Sequence, residues 1–62
     1  MARSSFHDAH RGQPIAAHQA GPQWTSRVYD PDRIAPVWER VGFESADDAL
    51  AAARAHVDEA VG

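Results

Sequence analysis

The run Gly42-Phe43-Glu44-Ser45-Ala46-Asp47-Asp48-Ala49-Leu50, with the residues after it, constrains this chain most, because it spells a capped, one-sided helix launched from an apolar strand end. At about 100° per residue, Ala46, Ala49, Leu50, Ala53, Val57, Ala60 and Val61 fall in one arc, and Asp47, Asp48, Arg54, Asp58 and Glu59 fall outside it. Ser45 is the expected N-cap, its hydroxyl accepting from a first-turn N–H, and Asp47 and Asp48 sit where carboxylates favour the positive end of the helix dipole. Asp58 and Glu59 lie toward the negative end and only Gly62 is available to close it, so fraying is expected after Glu59. The stripe is mostly alanine, with Leu50, Val57 and Val61 as its large members, which lets the helix axis approach a partner layer closely.

That partner layer reads as a sheet. Ile15 to Ala20 is a short strand, Gly21-Pro22-Gln23 is turn chemistry, and Trp24 to Tyr29 is a second strand rich in aromatic and β-branched residues. Alternation puts Trp24, Ser26 and Val28 on one face, with Trp24 at the centre of the core, and Thr25, Arg27 and Tyr29 on the other. Asp30-Pro31-Asp32 ends the hairpin. Residues 34–43 carry two periods. With period two, Val37, Glu39, Val41 and Phe43 share a face and make a third strand; with period 3.6, Ile34, Val37, Trp38 and Val41 share one, capped by Gly42. The strand is favoured, since two strands and a helix bury too little apolar area. Residues 1–13 hold only Phe6 as a large apolar group and read as a flexible N-terminal arm preceding a single ββ(β)α domain over residues 14–62. The expected class is therefore α+β, a small antiparallel sheet of two or three strands covered on one face by the C-terminal helix.

With 62 residues and no cysteine, neither a disulfide nor a thiolate zinc site staples the fold, and a core of this size seldom supplies more than about 3–5 kcal/mol. Self-association is the remaining remedy, and a homodimer is a candidate on that ground. No signal-peptide core and no membrane-length apolar run stand in the sequence, so the cytoplasm is the default compartment and no membrane partner is expected. Residues 1–40 carry five arginines against four acids, whereas residues 41–62 carry Arg54 against five, so the helix end is acidic and disfavours phosphate backbones. All six cations are arginine beside thirteen alanines, the codon usage of a GC-rich bacterial or phage genome.

Motifs for chemistry are sparse. His7-Asp8-Ala9-His10, with His18 as a third nitrogen, has a spacing open to a divalent metal, but nothing rigid is expected beneath it and the reading kept is a solvated arm, without metal or other cofactor. His18 is expected as an exposed strand residue and His56 at a helix boundary. No serine or threonine lies in a nucleophile-elbow context, and the acid pairs Asp30/Asp32, Asp47/Asp48 and Asp58/Glu59 are accounted for by turns and helix surface, so no catalytic residue is assigned and no enzyme is expected. In the strand reading Trp38 points away from Val37, Val41 and Phe43, alongside Arg40 and near Arg27 and Tyr29. These four, Arg27, Tyr29, Trp38 and Arg40, have the composition of a partner-binding patch. The same set suits stacking and clamping of single-stranded nucleic acid. In the alternative short helix, Trp38 packs inward instead.

The run Trp24-x-x-Arg27-Val28-Tyr29-Asp30, followed by Gly42-Phe43-x-Ser45-x-Asp47-Asp48-Ala49-Leu50-x-x-Ala53-Arg54, resembles small bacterial and phage proteins in which a β-meander ends in Phe-x-Ser/Thr-x-Glu/Asp-Glu/Asp-Ala and one helix follows. More loosely, it is similar to the β-β-β-α half of HicB-type antitoxins, although it lacks their Pro-Gly-Cys-like segment before the last strand. The resemblance spans residues 14–61 and carries over no site residue. Taken with the residues, the reading is a non-enzymatic protein-binding module, antitoxin-like or a phage-encoded inhibitor of an unknown protein partner, with a small nucleic-acid binder using the sheet face as the competing class and a metal-carrying arm as the third.

Overall fold

The computed structural model describes residues 4–61, and residues 1–3 and 62 lie outside the described part. Four strands, β1 (Ser5–His10), β2 (Gln13–Ala20), β3 (Gln23–Tyr29) and β4 (Pro36–Phe43), are followed by one helix, α1 (Ala46–Val61). The strands form an antiparallel meander in the order β1-β2-β3-β4, and α1 lies across one face, chiefly over β2 and β3. The α+β arrangement thus holds, with four strands where two or three were expected.

The additional strand comes from the segment expected to be an arm. A two-residue turn at Arg11 (φ 52) and Gly12 (φ 81), both left-handed, is the type I′ geometry that matches the twist of a hairpin, and it folds β1 back on β2. β1 is held by its ladder with β2, by Phe6 against Trp24, and by polar contacts to the far end of the chain. Arg54 Nη2 donates to Asp8 Oδ2 at 3.0 Å, and Asp58 Oδ1 lies 2.8 Å from His10 Nε2 and 3.0 Å from Arg11 Nε. The Arg11 charge also offsets the carboxylate that Asp58 places near the negative end of α1, which continues to Val61 rather than ending near Glu59.

The core is small-residue packing around a few branched side chains. Ile15, Val28, Ala53 and Val57 are buried together, with Trp38 and Leu50 half-buried against them. On the helix, Ala49, Ala53 and Val57 make a fully buried i, i+4, i+8 ridge, while Leu50 sits on its flank and Ala60 is exposed. The Ser26 hydroxyl, itself fully buried, donates to the Ala49 carbonyl at 2.6 Å and fixes helix against sheet. Ser45 caps α1 as expected, its Oγ accepting from the Asp48 N–H at 3.1 Å.

Trp24 is not the core centre. It is half-buried at one end of the sheet, its ring 5.7 Å from Phe6 and its backbone opposite Phe43. Phe43 reaches that position through a register shift in β4: Ser26 pairs with Arg40, but Trp24 pairs with Phe43. One extra residue in β4 is absorbed there at Gly42, whose φ of 95° suits a glycine, so Phe43 leaves the face of Val41 and joins Trp24.

Candidate interaction surface

The register of β3 against β4 decides which side chains meet. Val28 is opposite Trp38, and Ser26 is opposite Arg40, so Trp38 and Arg40 lie on the face that α1 covers. Arg27 is opposite Glu39, and Tyr29 continues the Arg27 side of β3 on the opposite, open face. The four-residue patch expected from the sequence is therefore divided between the two faces. The physical reason is burial: the indole of Trp38 covers Val28 and Val57 more extensively than a valine would, so β4 turns Trp38 inward and leaves Val37 and Val41 47% and 69% exposed.

On the helix side Trp38 stacks on His56, rings 4.6 Å apart at 14°, with the Arg40 guanidinium 5.8 Å from the indole centroid. His56 is thus a mid-helix residue engaged with the sheet, not a boundary residue. Because α1 leans over β2 and β3, a shallow groove of about 200 Å³ remains between it and β4, lined by Trp38, Arg40, Ala52, Ala55, His56 and Glu59. Ala52 and Ala55 leave it open by their small size.

The open face presents His7, His18, Arg27, Tyr29, Val37, Glu39 and Val41, with the fully buried Ala16 between His7 and Arg27 in the cross-strand row. Arg27 Nε donates to Glu39 Oε2 across the β3–β4 pair, and this bond, with a further one to Tyr29, raises the guanidinium pKa. His7 and His18 meet edge to face with centroids 5.5 Å apart. Desolvation, followed by the Arg27 charge and then His7, lowers the pKa of His18, which is half-buried. A strand separates i and i+3 onto opposite faces, so His7 and His10 cannot share a ligand; His10 belongs to the helix side with Asp58. Among the described residues no group of three metal-ligating side chains occurs, and no described helix is long and apolar enough to cross a membrane.

Sequence reasoning missed Glu39 as the partner of Arg27, and it missed the exposure of Val37 and Val41. Both follow from register, and the only local signal for that register was the bulge-forming Gly42. Comparison of the chain with protein families, with curated proteins and with solved structures gives no match.

Proposed function

We propose that this protein is a non-enzymatic protein-binding module, antitoxin-like or inhibitory in its mode of action, that occludes its partner with the open face of the sheet. The observation that carries this reading is the exposure of Val37 and Val41 beside Tyr29 on a face that no described element covers, with Arg27 already neutralised by Glu39. Apolar side chains flanked by an aromatic ring and an arginine are the makings of a protein contact. The nucleic-acid alternative is less well supported, because it needs free cations and free aromatic faces together, and here Trp38 is stacked on His56 while Arg27 is paired.

The test is affinity capture from the source cell with wild type and with the exposed-face variant Val41→Asp. A bound protein retained by wild type and weakened about tenfold or more by Val41→Asp, with the circular dichroism spectrum unchanged, is the expected result. Salt-sensitive binding of single-stranded oligonucleotides that Val41→Asp leaves intact would replace this reading with the nucleic-acid one.

A further inference from the structure

We infer that the free edge of β4 pairs with the same edge of a second copy of this chain, antiparallel across a two-fold axis at Glu39, to give a continuous eight-stranded sheet. This goes beyond the proposed protein contact, which uses the sheet face; the two readings share Val37 and Val41, and the paired-cysteine test of register reads the seam without any other partner present.

The meander leaves β1 and β4 unpaired on their outer sides. An unpaired strand offers a row of backbone donors and acceptors unless proline, a bulge, a lysine or a covering element blocks it. On β1, an outward backbone donor is already taken, the Ala9 N–H donating to Asp8 Oδ1 at 2.8 Å. On β4 Pro36 stands at the start and the Gly42 bulge near the close, with a second register shift where Val37 separates the Val28–Trp38 pair from the Tyr29–Pro36 pair. Between Pro36 and Gly42 runs Val37-Trp38-Glu39-Arg40-Val41, without proline, glycine or lysine and regularly paired with β3 over Trp38–Arg40. The helix, seated over β2 and β3, leaves this edge clear.

Those five residues are self-complementary about Glu39. Antiparallel pairing centred on Glu39 sets Val37 opposite Val41 of the second copy and Trp38 opposite Arg40 of the second copy, each pair occurring twice by symmetry. The valine pairs lie on the open face, where Val37 and Val41 are now exposed. The tryptophan–arginine pairs lie on the helix face, where Arg40 forms no ion pair among the described residues and already approaches an indole within its own chain. The one unfavourable meeting is Glu39 against itself, and Arg27 holds each of those carboxylates from the neighbouring strand. Shifting the register by two residues either way loses both the valine and the tryptophan–arginine pairs, so the centre at Glu39 is specific. The grooves beside the two β4 strands then merge into one trough over the seam, walled by the two helices. A five-residue seam is small against the roughly 1,200–2,000 Å² of a standard interface, so the association is reversible and concentration-dependent.

The absence of native cysteine makes the register directly readable. Sedimentation over a concentration series should show wild type passing from one chain of 6.8 kDa to two, and Val41→Lys should weaken that association about tenfold without altering the circular dichroism spectrum. Val37→Cys and Val41→Cys proteins mixed under mild oxidation should give a disulfide-linked pair, whereas either alone should give little, because directly opposed strand residues lie within disulfide reach. A monomer at the highest soluble concentration would overturn the inference and leave the edge to an extended segment of some other protein. It would equally be overturned by cross-linking as strong in Val37→Cys alone as in the mixture, or by a dimer that Val41→Lys spares and His7→Glu disrupts, the mark of face-to-face packing.

Discussion

Ser26 is the point at which helix and sheet are held closest, and replacing it separates hydrogen bonding from packing. Ser26→Ala removes the 2.6 Å bond to the Ala49 carbonyl but keeps the volume nearly unchanged. The Ala49 carbonyl lies inside α1, where the helix supplies its other partner, so nothing buried is orphaned and the cost is that of one net hydrogen bond, about 1 kcal/mol. For a domain of this size that corresponds to a fall in Tm of about 4–8 °C. Ser26→Val forfeits the same bond and also forces two methyl groups into a site with no exposed surface, adding about 1–3 kcal/mol of overpacking. Set against a total of about 3–5 kcal/mol, the combined loss of about 2–4 kcal/mol should leave the valine variant only marginally folded at ambient temperature. Urea or thermal melts followed by circular dichroism read both. Equal stability of the alanine and valine variants would refute the reasoning, since it would mean that α1 does not press on β3 at Ser26.

Deleting residues 1–12 removes β1 with its bonds to Arg54 and Asp58, and should abolish the cooperative thermal transition; a truncated chain melting like wild type would return β1 to the status of a dispensable arm. Gly42→Ala should lose about 1–2 kcal/mol in urea titration although its added methyl meets no atom, because the strain is in the left-handed backbone; a neutral result would argue against the bulge. Because folding lowers the pKa of His18, the unfolded chain takes up that proton first, and this contribution to stability is present above about pH 6.5 and lost as pH falls toward the folded value. His18→Gln should therefore show a smaller drop in urea midpoint between about pH 8 and about pH 5 than wild type, and an undiminished drop would remove His18 as its source.

Local pattern was enough for α1, β2 and β3, because their signals lie within a few residues: the Ser45 cap, the Ala49–Ala53–Val57 ridge, the Gly21-Pro22 turn, and the alternation of Trp24, Ser26 and Val28. β1 was illegible for a physical reason. Its inward side chains are Phe6, Asp8 and His10, and two of these find their partners 46 and 48 residues away, so no hydrophobic alternation announces the strand. The patch assigned to Arg27, Tyr29, Trp38 and Arg40 drew on a correct alternation within each strand. What it lacked was the facing of β4 relative to β3, since Val37 and Trp38 are both apolar and either could have turned inward. Only the tertiary preference of the larger indole for the space beside Val28 and Val57 decides it.

The polar ties from β1 to α1 also order events in time. All sheet neighbours are consecutive in the chain, so hairpins can form locally and early as the polypeptide emerges. Asp8 and His10 must nevertheless wait for Arg54 and Asp58, among the last of these 62 residues to be synthesised. During translation the first strand is thus made long before the helix that holds it exists, and the helix-side face of each newly completed strand stays uncovered until then. Docking of α1 is the step that buries the helix side of the sheet, so shortening the helix before Arg54 should leave that face open.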